Sequence, residues 1–235
     1  MVSSRKISLS VFFPCHNEQD NVEPLTLRTL EVLKTVSDDY EVIIVNDGST
    51  DRTARVAQQL ARENPRVRLV NHPVNRGYGA ALQSGFRAAT KQWVFYTDGD
   101  GQFDIHELPP LVEWIGEYDI VTCYRINRQD PLMRKFNGWA WTKLVNLLFA
   151  LNLRDIDCAF KLYRREIFDR IEMHSTGALI DTEILARAKK CGYAMVQSPV
   201  RHYPRTAGTQ SGASLKVILR AFRELFQLRK KILND

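Results

Sequence analysis

Long apolar runs are missing from this chain of 235 residues: the mostly apolar run Leu9–Phe13 stops at Pro14, far short of the roughly 18 residues that a membrane helix needs. The N-terminus is short, polar and basic, so neither a secretory leader nor a transmembrane segment is expected. Cysteine is scarce. Cys15, Cys123, Cys158 and Cys191 stand far apart with no CxxC pair, which speaks against a structural zinc site and a disulfide framework and for a reduced, cytoplasmic chain. His16, His72, His106, His174 and His202 never fall at metal-ligand spacing, although His202 lies close enough to Arg205 in sequence to reach the same ligand. The P-loop's Gly-Lys-Ser/Thr and the full GxGxxG pattern are both absent, so neither a P-loop ATPase nor a nicotinamide enzyme is supported. No internal repeat or low-complexity linker interrupts the chain, and one compact domain is expected.

An excess of charge is absent from the first 200 residues, where acids and bases balance. The whole net charge of +6 sits in residues 201–235. A basic tail on a neutral body points to a polyanionic partner, membrane or nucleic acid.

What is present is a regular alternation. Ile7–Phe13, Glu41–Asn46, Val67–Val70, Trp93–Thr97 and Asp119–Cys123 read as buried strands, and Val22–Lys34, Asp51–Glu63 and Ala80–Ala89 carry apolar residues at helical spacing between them. Strand and helix in turn predict βαβ units and a mostly parallel α/β sheet. Beyond residue 124 the alternation loosens into a Trp-rich helical stretch, Phe136–Leu151, a short strand near Cys158–Tyr163, a helix Ile180–Lys190, a strand Ala194–Gln197 and a closing helix Ala213–Leu233. The expected division is a nucleotide-binding half (1–123) and an acceptor half (124–212) of one domain, followed by the helix 213–235.

Where a strand of an open α/β sheet ends, its loop lines the ligand crevice. Trp93–Thr97 runs directly into Asp98-Gly99-Asp100-Gly101-Gln102, and two carboxylates so close repel each other unless a cation or donors intervene. Hard oxygen ligands suit Mg²⁺ or Mn²⁺, which fill their shells from substrate phosphates and so imply a nucleoside diphosphate. The competing reading is an acidic turn. Pro14–Glu18 and Asp47–Asp51 follow the first two strands and reach the same crevice; Asp47 suits a base or ribose and Glu18 ribose hydroxyls, while Asp51 suits a helix cap. Asn75-Arg76-Gly77-Tyr78-Gly79 reads equally as a phosphate or base contact through Arg76 and its glycines, or as a plain turn.

In this order, PCHNE, IIVNDGSTD, NRGYG, TDGDGQ, DCAFKLYRR, DTE and HYPRTAGTQSG resemble the family 2 inverting glycosyltransferases of GT-A fold, especially the branch similar to dolichyl-phosphate mannose synthase that uses polyprenyl phosphates. The resemblance covers residues 7 to 212. It implies a nucleotide pocket from Pro14, His16, Glu18, Val45 and Asp47. It implies a metal and diphosphate site at Asp98, Asp100 and Gln102, with Asp100 and Gln102 as the direct ligands. Arg125 and Arg134 match arginines aimed at an acceptor phosphate, and Arg205 matches the arginine of a loop that closes over the donor diphosphate. Two departures stand out: Gly212, not Lys, follows Ser211, leaving Arg205 to work alone or with Lys216; and Asp181 stands near Glu183 where the mannose synthases carry apolar residues.

The expected activity is therefore metal-dependent, inverting transfer of a hexose from a nucleotide diphosphate sugar, of GDP-mannose or UDP-glucose type, to a polyprenyl phosphate. A phosphate with a second pKa near about 6 arrives largely ionised and needs no strong base. A sugar hydroxyl acceptor does need one, and Asp181 is then the candidate, unless it caps the helix Thr182–Lys190. A sugar-1-phosphate nucleotidyltransferase and a non-catalytic membrane-binding module are the alternatives from other classes. The first lacks its Gly-rich basic loop at Pro14–Glu18. An acidic crevice repels nucleic acid, so none is expected as a partner. Leu215, Ile218, Leu219, Phe222, Leu225 and Phe226 form one stripe of a basic amphipathic helix, which packs on the domain or lies in a membrane interface with Arg229–Lys231 as lipid contacts; Trp139–Leu151 is likewise core or a shallow lipid-facing surface. The expected location is the cytoplasmic membrane face, peripherally bound; a homo-oligomer is compatible with the sequence.

Overall fold

The computed structural model describes residues 7–128, 132–205 and 215–234; of residue 134 and residues 215–221 it describes the backbone alone. The elements run β1 (Ser8–Cys15), α1 (Val22–Val36), β2 (Asp39–Asp47), α2 (Thr53–Glu63), β3 (Val67–His72), α3 (Tyr78–Ala88), β4 (Trp93–Thr97), a single turn α4 (Pro109–Val112), β5 (Ile120–Ile126), α5 (Leu132–Phe149), β6 (Phe160–Arg164), a turn α6 (Ile167–Arg170), α7 (Ile180–Lys190), β7 (Met195–Arg201) and α8 (Leu215–Asn234). One seven-stranded sheet has the order β3-β2-β1-β4-β6-β5-β7. Its β1–β4 half is parallel throughout, as expected from the alternation. β6 lies antiparallel between β4 and β5, and β7 pairs parallel with β5.

The strands form where apolar and β-branched residues run unbroken, because both faces of the sheet are covered. Phe12, Phe86, Tyr96 and Tyr163 stack through the centre of the core at ring separations of 4.8 to 6.3 Å. The chain leaves β1 towards β2 on one side, then crosses back to β4 on the other. That reversal between β1 and β4 is the switch point at which an open sheet leaves a crevice.

The closing helix α8 packs on the domain through Leu225, Leu228 and Ile232, while Phe222, Phe226 and Leu233 stay exposed. Trp141 of α5 meets Phe222 edge-on at 5.8 Å, and Arg229 Nε donates to the Leu148 carbonyl at 3.2 Å. Arg229, Lys230 and Lys231 are all exposed; Arg229 reaches α5 and Lys231 borders a cavity. Lys216's side chain and residues 206–214, including the rest of the RTAGTQSG motif and the expected boundary at 212, lie outside the described residues.

Candidate active site

The C-terminal ends of β1, β2 and β4 open onto a cavity of about 630 Å³ lined by Pro14, His16, Glu18, Asp47, Asp98, Asp100, Gln102, Arg125 and Arg205, among others. Most of the residues expected from sequence therefore converge. The loop after β4 can lie flat against the end of β1 because Gly99 has no side chain: a Cβ there would stand 2.6 Å from the Pro14 carbonyl oxygen and 2.7 Å from Cys15 Sγ. Gly101, at φ +73°, completes the turn in the left-handed region that glycine tolerates.

This turn crowds two carboxylates. Tyr78 donates its hydroxyl to Asp98 Oδ1 at 3.0 Å, and the Gln102 amide donates to Asp100 Oδ1 at 3.0 Å. Burial, reinforced by the charge of Asp100, pushes the Asp98 carboxyl up to about 7. The Gln102 side-chain amide donates to the Tyr203 carbonyl at 3.0 Å, and the Tyr203 N–H returns a bond to the Gln102 carbonyl at 2.9 Å. These two bonds carry the segment after β7 over the acidic turn and deliver Arg205, whose Nη2 contacts Glu18 Oε1 and lies 3.9 Å from Asp100 Oδ2. Glu18 also accepts from Asn21 at 2.7 Å; burial nevertheless raises its pKa.

The β1 and β2 ends are just as tightly organised. His16 Nδ1 donates to the Asp47 carbonyl at 2.8 Å. The Asp47 carboxylate accepts from His72 Nδ1 at 2.7 Å and from the Arg76 and Gly77 amides at 2.9 and 3.0 Å. Asp47 thus braces the turn into α3 as well as lining the cavity. Asp51 is not the N-cap of α2, which is Arg52, but stands one residue ahead of it and accepts from the Thr53 amide at 2.8 Å.

Several expectations need correcting. Val45 is fully buried within the sheet and does not line the cavity; strand alternation turns its side chain into the core. Arg76 lines a neighbouring cavity of about 500 Å³ between residues 174–179 and α8 instead of the main one. The NRGYG glycines serve packing in place of phosphate binding: a Cβ on Gly79 would stand 2.6 Å from the Ser175 carbonyl oxygen, and one on Gly77 2.8 Å from that of Thr176. Asp181 is not the N-cap of α7, which is Leu179, and it does not line the main cavity. It lies buried, accepting from Lys161 Nζ at 2.7 Å and from the Tyr96 hydroxyl. The sheet interior explains this placement: Lys161 is fully buried on β6 and needs a counter-charge. Glu183, also buried, accepts from the His174 and Ser175 amides at 3.0 and 2.7 Å and so shapes the segment against α3. The side chain of Arg134 lies outside those described.

Arg125 does reach the cavity, gripped from behind by Asp155 in a fork of 2.7 and 2.9 Å. Beside it stand two lining residues that spacing did not single out, Asp157 and Tyr78. Both belong to motifs quoted above, DCAFKLYRR and NRGYG, but only the antiparallel placement of β6 and the start of α3 reveal that they face the same space. His202 lines the cavity too, edge-on to Phe103 at 5.1 Å.

Such a donor set fits a divalent cation. Two crowded carboxylates and an amide side chain offer hard oxygens, and among the described residues no three His, Cys, Asp or Glu side chains gather to hold a metal unaided. An ion that draws the rest of its shell from a diphosphate suits that sparse supply. Arg125 and Arg205 complete the cavity as positive charges held in place by Asp155 and Glu18.

The profile of the family described as Glycosyl transferase family 2 matches residues 10–172. The chain is 34% identical over 209 residues to the glycosyltransferase AglD of Haloferax volcanii, covering 85% of this chain and 34% of that protein. It is 31% identical over 215 residues to the undecaprenyl-phosphate 4-deoxy-4-formamido-L-arabinose transferase of Pectobacterium carotovorum, covering 90% and 64%. It thus spans between one third and under two thirds of the length of these curated relatives. Among solved structures, mannosyl-3-phosphoglycerate synthase of Rubrobacter xylanophilus shares the fold with a TM-score of 0.73 at 20% identity, covering 97% of this chain and 74% of that one. Glucosyl-3-phosphoglycerate synthase of Mycobacterium tuberculosis, in complex with Mn²⁺, UDP and phosphoglyceric acid, does so with a TM-score of 0.70 at 19% identity, covering 96% and 78%.

Proposed function

This chain belongs to glycosyl transferase family 2, and from that premise we propose that it transfers a hexose, with inversion, from a nucleoside diphosphate sugar to a polyprenyl phosphate at a membrane surface. One observation carries the proposal: the acidic pair Asp98–Asp100 and the two arginines Arg125 and Arg205 face one cavity at the switch point of the sheet. That arrangement can hold a diphosphate at one end and a second phosphate at the other. The undecaprenyl-phosphate relative supports the acceptor class, and the Mn²⁺ and UDP in the structural neighbour support the donor class.

In this reading Pro14, His16, Glu18 and Asp47 border the nucleoside, and Asp100 and Gln102, with Asp98 in support, hold Mg²⁺ or Mn²⁺. The bound ion supplies positive charge to the departing diphosphate. Arg205 stands over the same turn and adds a second positive charge where negative charge builds, an interaction strongest in a site already organised for it. Arg125, immobilised by Asp155, seats the acceptor phosphate with little loss of side-chain freedom on binding.

The surface beside the cavity supports a lipid-borne acceptor. α5 begins just past the crevice end of β5, and Leu132, Met133, Phe136, Trp139 and Leu147 are exposed along it, while its Trp141 meets Phe222 of α8. Exposed apolar side chains concentrated on one helix suit insertion into an interface, with the basic residues of α8 on anionic headgroups. No helix of the described residues is long and apolar enough to cross a membrane.

The test offers UDP-glucose and GDP-mannose, each with Mg²⁺ or Mn²⁺, to the purified protein together with a short polyprenyl phosphate in detergent. The expected product is a polyprenyl phosphosugar of opposite anomeric configuration to the donor. Retained configuration, or release of free sugar alone, refutes the proposal.

A further inference from the structure

Five carboxylates line the main cavity, and four are already gripped. Glu18 is held by Arg205 and Asn21, Asp47 by His72 and two backbone amides, Asp98 by Tyr78 and Asp100 by the Gln102 amide. Asp157, lining the same cavity, accepts no hydrogen bond from any described side chain or amide. A carboxylate that borders the cavity with no protein donor is free to meet a ligand's proton. We propose that Asp157 is a catalytic residue that removes the last proton from the acceptor phosphate while Arg125 holds that phosphate in place. This role rests on the acceptor reading given above.

The surroundings of Asp157 suit the task. From α7 comes the charge of Asp181, from the segment before β6 that of Asp155, from β5 that of Arg125 and from β6 that of Lys161. Burial first, then the two acids, push the Asp157 carboxyl up to about 6, with Arg125 and Lys161 pulling the other way. A phosphate monoester loses its second proton near about pH 6, and a base matched to its acid exchanges a proton with a small penalty in either direction. Asp181 cannot do this work, because Lys161 and Tyr96 enclose it outside the cavity.

The step balances as follows. The acceptor's O–H bond breaks and its proton passes to a carboxylate oxygen of Asp157. The freed phosphate oxygen forms its bond to the anomeric carbon, while the pair of the old carbon–oxygen bond leaves with the nucleoside diphosphate. Asp157 then returns the proton to water at its open side.

The decisive measurement is a pH comparison of kcat for the wild type and Asp157→Asn, using the polyprenyl phosphate and donor that the wild type accepts. Near pH 6 the variant is expected to lose about tenfold or more, whereas at about pH 8.5, where the acceptor arrives fully ionised, it runs within about threefold of wild type. Asp157→Glu is expected to restore most of the acid-side rate. An equal loss at both pH values, or no loss at either, overturns the role. Should Asp157→Asn fail a circular-dichroism check of folding, Asp157→Ser carries the same comparison. A wild type that glycosylates polyprenol but not polyprenyl phosphate refutes the acceptor reading itself, and this role with it. Transfer to the phosphate with a pH-independent defect refutes only the role of Asp157.

Discussion

In the β1–β4 half, every carboxylate at the crevice has a partner that fixes its direction, and the exposed apolar side chains are few. In the β5–β7 half, Asp157 has no donor among the described residues, and α5 leaves Leu132, Phe136, Trp139 and Leu147 in the open. Charge in the first half is arranged before any ligand comes; in the second, Arg125 is braced by Asp155 but Asp157 is left for a ligand to complete. A nucleoside diphosphate has a fixed shape and repays a rigid, fully bonded pocket. An acceptor that arrives from a lipid surface needs an approach that is greasy outside and sparsely bonded within.

The most severe way to break this comparison is at the acidic turn. Asp100→Ala is expected to lower kcat by about three orders of magnitude, in line with removing a group that neutralises charge in the transition state; near-normal turnover in the purified assay would leave the rigid half with no catalytic role. Next comes the buried link beneath both halves. Lys161→Met leaves Asp181 without its cation in the sheet interior, and chemical denaturation should show a loss of about 3–5 kcal/mol.

A smaller effect comes from pH. Asp98, held near about 7 in the folded chain against an ordinary value of 3.8, keeps a proton that the unfolded chain gives up. With more protons bound to the native state, metal-free stability must fall as pH rises through that window. Asp98→Asn should flatten the fall and raise the metal-free Tm near pH 8 by about 2–4 °C, a gain that saturating Mn²⁺ given to the wild type should erase. The mildest test concerns the open half. Phe136→Ser with Trp139→Ser should weaken flotation with anionic vesicles by about tenfold, about 1.4 kcal/mol, and leave the Tm unchanged; undiminished flotation would place the membrane contact elsewhere.

Much of this arrangement is legible in the chain before any coordinate. β4 is five buried residues that end in DGDGQ, so both its place and its loop's chemistry follow from adjacent letters. The converging loops after β1 and β2 follow from the rule for parallel strands. What could not be read was direction and depth. A short, mostly buried strand such as β6 has the same pattern whichever way it runs, and its reversal is what carries Asp157 to the cavity. Asp181 and Lys161 lie 20 residues apart in sequence, and nothing local announces that they neutralise each other. The glycines at 77 and 79 resemble a phosphate cradle because close approach by backbone and close approach by phosphate make the same demand on a residue.

The reversed strand has a further consequence for how such a molecule can change. Along β1, β2 and β4 the chain meets the crevice on its way out of the sheet; at β6 it meets it on the way in. The segment ahead of β6 therefore edits the crevice without sharing a loop with any nucleotide contact. On the proposed reading, exchanging residues 150–159 between relatives is expected to swap a cartridge, changing the group that receives the sugar and leaving the group that delivers it.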